Sequence, residues 1–184
     1  MTVPPNIISG EYPIFLKPVD QGDLDFFFHI YGNQDVMRFI GKPLTRSQCE
    51  KQLMKTIREM PGRHPHHLTY VIKRCSDDAN IGIIGLTWFK PENRLIAAIG
   101  VMISSTYRRQ RMAHHAKQLM MAHGFTALSL TTIVAFCQAD NVAANTANMR
   151  LNMQRGAVIE HGVHQKKTQE WFIEKTAWMG SYSG

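Results

Sequence analysis

Six consecutive residues, Arg108-Arg109-Gln110-Arg111-Met112-Ala113, carry the chemistry most readily read from this chain. They follow an apolar run that ends in Ser104, Ser105 and Thr106, and they open a stretch of helical spacing. A strand that delivers backbone N–H groups and guanidinium charge to the start of a helix makes an anion site. The unpaired N–H groups point at the ligand and the helix dipole adds positive potential. Phosphate or pyrophosphate is the anion such a site holds best. Other chemistries are poorly supplied. His64, His66 and His67 in a loop, and His114 and His115 on a helix, are neighbours whose rings point different ways. No HExxH or carboxylate triad accompanies them, so no metal is expected. No nucleophile-elbow pattern supports Ser-His-Asp catalysis.

Those residues need a scaffold, and the chain reads as mixed α/β. Tyr12–Pro18 alternates as a strand, and Asp20 is placed to cap a helix through Tyr31 with Phe26, Phe27 and Ile30 inward. Asn33–Ile40 reads as a short helix or turn. Thr45 opens a stronger helix with Leu53, Met54 and Ile57 at helical spacing and Pro61 beyond its end. Three strands follow at His67–Arg74, Ile81–Phe89 and Leu95–Ser104, separated by polar turns that suit an antiparallel meander. Met112–Leu128 reads as a helix, Thr131–Gln138 as a β-branched strand, and Val142–Arg155 as a helix ended by Gly156. Two last strands are expected at Val158–His164 and Glu170–Met179.

Composition narrows the setting. With 184 residues, 44% of them apolar, the chain can bury one core, and a single domain over 1–184 is expected. No apolar stretch is long enough to span a bilayer, and MTVPPNIISGEYP lacks the profile of a signal peptide. Cys49, Cys75 and Cys137 form no CxxC pair, so reduced thiols in a cytoplasmic protein are expected, with no membrane partner. A formal charge of +7 favours anionic partners: cofactor phosphates, an acidic carrier protein or nucleic acid. No recognised binding motif or aromatic platform surrounds the arginines, which makes nucleic acid the least supported.

The element order and the six-residue segment together resemble the GNAT acyltransferase superfamily, whose acyl-CoA pyrophosphate loop reads Gln/Arg-x-x-Gly-x-Gly/Ala. Here Arg108 and Ala113 fit, and Arg111 replaces the central glycine. Three further segments are similar to the branch of ribosomal-protein N-terminal acetyltransferases. They are DVMRFIGKPLTRSQCEKQL at 35–53, IGIIGL at 81–86, and Asn141 with Asn145 where the branch carries Asn-x-x-Ser/Ala. The fold implied is α/β (α+β), with a mostly antiparallel sheet of about seven strands flanked by about four helices. The sheet is implied to splay between the fourth and fifth strands because the fourth carries a bulge.

The same resemblance implies the site. A pantetheine arm would lie along Val101, Met102 and Ile103, and the pyrophosphate would rest on Arg108, Arg109, Gln110, Arg111, Met112 and Ala113, with Asn141, Asn145 and Asn148 alongside. Arg111 either adds a phosphate contact or crowds the cofactor. Counting back 11 residues from Gly156 reaches Asn145, whereas counting forward from the strand favours Asn141, which implies an inserted helical turn. The family's tyrosine acid then falls on Asn152 or Asn148, neither able to serve. The family's acidic position on the fourth strand is Ala98, which leaves Glu160, His161, His66, His67 and Asp140 as candidate bases. Trp88 is either a wall of the acceptor pocket or a packed core aromatic.

The implied activity is transfer of an acetyl group from acetyl-CoA to a primary amine, a protein N-terminus or a small molecule. Direct attack in a ternary complex is expected, since no cysteine sits in the loop. The alternatives are use of a longer acyl-CoA or an acyl-carrier protein, and a degenerate GNAT domain kept for binding or assembly. A homodimer is compatible with this fold.

Overall fold

The computed structural model describes residues 4–61, 65–89, 93–161 and 166–181, without the side chains of Glu160, His161, Lys166 and Ser181. Eight strands make one sheet: β1 (Ile7–Ile8), β2 (Ile14–Pro18), β3 (His67–Arg74), β4 (Asn80–Thr87), β5 (Ile96–Ile103), β6 (Thr132–Gln138), β7 (Gln154–His161) and β8 (Lys166–Glu174). Their order is β1-β2-β3-β4-β5-β6-β8-β7. Every pairing is antiparallel except that of β5 with β6. The helices are α1 (Leu24–Tyr31), α2 (Gln34–Met37), α3 (Arg46–Glu59), α4 (Met112–Thr126), α5 (Val142–Arg150) and α6 (Lys175–Ser181).

Local signals account for most boundaries. Asp20 caps a 3₁₀ turn at Gln21–Asp23 through a reciprocal bond with Asp23, and α1 continues from it. Thr45 and Gln48 make the same capping box at the start of α3. The buried face of α3 is Cys49, Leu53 and Thr56; Met54, expected inside, is 45% exposed. Two glycines of IGIIG are required by close approach. A Cβ on Gly82 would stand 2.4 Å from the Met102 carbonyl oxygen, and one on Gly85 would stand 2.5 Å from that of Leu68.

Neighbouring residues of a strand point to opposite faces, and this sorts the helices. Gly124 of α4 packs toward Leu86, whereas Thr87 lines a cavity with residues of α1 and α3. The two groups of helices therefore cover opposite faces of the sheet, and the core fills both sides of β4.

Four sequence expectations change. The short β1 raises the strand count, and the stretch expected as one strand to Met179 ends at Glu174 and turns into α6. α5 ends at Arg150, with Asn152 in the left-handed region at φ 57°. Gly156 is no helix cap: it lies in β7, where a Cβ would meet Glu170. Lastly, the register of β5 on β4 runs unbroken from Gly82↔Ile103 to Thr87↔Ala98, so the expected bulge is not in that ladder. The shifts of register lie at Ile72/Lys73 and Arg155/Val158.

Candidate active site

The sheet opens where the two half-sheets follow different partners. β5 and β6 pair only at Ile96↔Thr132, Ala97↔Ile133 and Ala98↔Val134. Beyond that point β5 stays with β4 as far as Ile103, and β6 stays with β8 as far as Gln138↔Thr168. The splay thus follows from a parallel ladder that ends after three pairs, not from a bulge in the β4–β5 ladder. Ser104 N–H donates to Ile81 O, which fixes the phase of the β4–β5 ladder. By the alternation of an antiparallel pair, the backbone groups of Ile99, Val101 and Ile103 then face the gap. Val101, Met102 and Ile103 are half-buried there. An extended ligand bearing amides can pair with this edge as an added strand would.

The arginine segment stands at the open end. Ser105–Tyr107 forms a 3₁₀ turn, and α4 starts at Met112 with Arg111 as its N-cap, lacking any side-chain cap. The first bond of the helix is His115 N–H to Arg111 O, so the N–H groups of Met112, Ala113 and His114 have no intrahelical acceptor. Arg111 takes φ 58° and ψ 8°, the left-handed conformation that glycine adopts without penalty. Its side chain is exposed. Arg109 also has positive φ, at 63°. Among the described residues no carboxylate pairs with Arg108, Arg109 or Arg111.

A strap crosses the mouth on the α1 face. Arg108 Nη2 donates to Asp35 O at 3.3 Å from the β5 side, and Gln138 Nε2 donates to Phe39 O at 3.0 Å from the β6 side. The segment around α2 thus touches both lips. His29 Nε2 sits 3.0 Å from Ser104 Oγ and ties α1 to the exit of β5.

On the other face α5 ends at Arg150, and Asn152, the left-handed residue just beyond it, lies 11 positions after Asn141. Asn141 caps α5 by accepting from Ala144 N–H. Asn145 braces the turn: its Nδ2 donates to the carbonyls of Gln138 and Asn141, and its Oδ1 accepts from Trp171 Nε1 at 2.8 Å. Asn148 is buried, and its Oδ1 accepts from Lys117 Nζ at 2.5 Å.

Lys117 was missed in the sequence. It lies one helical turn after Ala113 on α4, 5% exposed, and burial pulls its pKa from the ordinary 10.5 down to about 8. Asn148 Nδ2 in turn donates toward Cys137 Sγ at 3.6 Å, on β6 beyond the last pair with β5. Burial pushes the Cys137 thiol up, with Lys117 opposing. The signal available beforehand was a lysine among Ala116, Leu119 and Met120, at i and i+4 from the phosphate segment.

The remaining candidates separate. Asp140 and His66 are exposed, and the side chains of Glu160 and His161 lie outside the described residues. Trp88 is a core aromatic, 5% exposed, whose Nε1 donates to Arg94 O. His67 lines a cavity of about 560 Å³ with Phe27, Tyr31, Lys51, Lys55 and Thr87, and among the described residues no Asp or Glu lines it. Thr87 pairs with Ala98, where the β5–β6 ladder ends, so this cavity lies beside the closed end of the gap. Burial lowers the His67 pKa, and its Nε2 is buried without a hydrogen-bond partner among the described residues. No helix among the described residues is long and apolar enough to cross a membrane.

Comparison with known proteins agrees with this architecture. Residues 14–154 match the acetyltransferase (GNAT) domain family. An uncharacterized N-acetyltransferase of Bacillus subtilis, YoaA, is 24% identical over 157 residues, 84% of this chain and 87% of that protein. The spermidine N-acetyltransferase of Vibrio cholerae, solved with CoA and spermine, superposes with a TM-score of 0.79 at 16% identity. The match covers 91% of this chain and 98% of that one. RimL, an alpha-N-protein acetyltransferase of a ribosomal protein solved with coenzyme A, gives 0.80 at 15% identity, covering 92% and 98%. With the split sheet, the uncapped helix start and a family match across most of its length, this chain belongs to the GNAT acetyltransferase family.

Proposed function

We propose that this protein transfers an acetyl group from acetyl-CoA to a primary amine by direct attack within a ternary complex. The observation that carries the reading is the uncapped start of α4, with Arg109 and Arg111 unpaired beside it, at the mouth of an unpaired strand edge. In this reading Arg108–Ala113 hold the pyrophosphate, and the edge at Val101, Met102 and Ile103 bonds the pantetheine amides. Arg111 is a phosphate ligand: its backbone already has the conformation a glycine would supply, and its guanidinium is free in solvent.

The acceptor enters through the cavity on the α1–α3 face. Among the described lining residues the charged ones are Lys51 and Lys55, with Glu59 acting on His67 from outside the lining, so a polycationic amine is disfavoured there and a protein N-terminus, carrying one charge, is favoured. His67 is the proton acceptor, since burial keeps its imidazole neutral and its Nε2 is unoccupied. The proposed setting is the cytoplasm, where acyl-CoA donors and protein N-termini meet.

Calorimetric titration of acetyl-CoA tests the donor. Micromolar binding, weakened about tenfold or more by Arg109→Ala with Arg111→Ala, supports the reading. Absence of binding by the unaltered protein overturns it and leaves the degenerate domain or a carrier-protein donor. An acceptor screen then sets spermidine against peptides with free N-termini; turnover of spermidine alone removes the N-terminus assignment.

A further inference from the structure

Lys117 presents a problem that packing does not solve. Its ammonium has three N–H donors, and among the described residues Asn148 Oδ1 is the acceptor found for it, with no carboxylate in ion-pair range. A buried cation left so poorly matched is costly, and an apolar side chain would fill the space without that cost. Among the described residues Cys137 on β6 is the titratable group whose charge acts on it, while His115, Arg111 and Arg150 act on His114. Asn148 thus links the ammonium to a thiol on β6, beyond the point where β6 has left β5.

The orientation of Asn148 makes the arrangement directional. Its oxygen faces the ammonium and its Nδ2 faces sulfur at 3.6 Å, so Lys117 polarises an amide whose N–H is aimed at the sulfur-bearing side of the lip. Asn148 is also one of the two residues, with Asn152, on which the family's acid position falls. We propose that the Lys117–Asn148 pair receives the negative charge of the departing CoA thiolate and that Lys117 Nζ gives the thiolate its proton. The inference rests on the donor assignment made above. As the acceptor nitrogen bonds to the acetyl carbon, the C–S bond breaks and sulfur keeps the electron pair. An Nζ proton passes to sulfur, and neutral Lys117 is recharged through water with the proton that His67 takes from the acceptor nitrogen. An amine buried to a depressed pKa suits that exchange, because it gives up and regains a proton near neutrality.

The test uses the intact protein, Lys117→Met and Asn148→Leu, each checked for an unchanged circular dichroism spectrum. The first readout is independent of turnover: ultraviolet thiolate absorbance of bound CoA is followed as pH is raised. An ammonium placed to pass its proton to that sulfur should lower the thiol pKa of bound CoA by about one unit or more relative to Lys117→Met. The second is the pH profile of kcat: it should fall on the alkaline side in the unaltered enzyme, whereas Lys117→Met should be slower by about a hundredfold and lack that limb. Asn148→Leu should move both readouts in the same direction. A CoA thiol that titrates alike in all three proteins, with an unchanged alkaline limb, overturns the assignment of Lys117 alone. Failure of the unaltered protein to bind CoA overturns the donor reading, and this inference with it.

Discussion

Helix α4 and the loop that leads into it handle positive charge in opposite ways. At the start of α4, Arg108, Arg109 and Arg111 are exposed, and no carboxylate among the described residues pairs with them. One turn further on, Lys117 is buried against Asn148 and Cys137. Charge in water costs little to hold, acts over about a Debye length and is weakened by salt. Charge inside the protein is expensive, acts at short range and is barely screened. The first arrangement suits capture of an anion from solution, and the second suits action on one group at one place.

The sharpest way to break the contrast is pH. Lys117 titrates near 8 in the folded chain and at its ordinary 10.5 when unfolded. Between those values the unfolded state holds a proton that the folded state lacks, so folding stability should rise with pH. Against Lys117→Met, the unaltered protein should gain about 3 kcal/mol between pH 8 and 10.5, read from urea melts of both proteins. Parallel pH dependence of the two would mean that Lys117 is not held in a desolvated site. Next in size, Asn148→Leu should cost about 2–3 kcal/mol at pH 7, because it strands the ammonium without an acceptor.

The exposed end calls for different measurements. Acetyl-CoA affinity should fall with rising salt, and the slope should flatten in Arg109→Ala with Arg111→Ala but persist in Lys117→Met. An equal loss of slope in all of them would erase the distinction between the two regions. The smallest effect concerns Arg111 itself. Its left-handed backbone should make Arg111→Gly more stable by up to about 1 kcal/mol while weakening acetyl-CoA binding, seen as a rise in Tm beside a fall in affinity.

Much of the fold was legible beforehand, and the misses share a cause. Arg108–Ala113 stood out as a cationic strand-to-helix junction through residue type and position, both local properties. Gly156 looks like a helix terminator in sequence. In the fold, Asn152 takes the left-handed turn and Gly156 sits in β7 against Glu170. Met54 had helical spacing but points to solvent, since Cys49 and Thr56 set which face of α3 meets the sheet.

By itself the sequence determined most of the element types, the strand-to-helix junction with its cations, and the caps at Asp20 and Thr45, because periodicity, charge and capping act over a few neighbours. Only the tertiary structure decided where β5 and β6 part, that Arg111 adopts the conformation of the glycine it replaces, and that Lys117 is buried on Asn148. Each of these depends on elements distant in the chain meeting in space, and desolvation is a property of that meeting rather than of any residue alone.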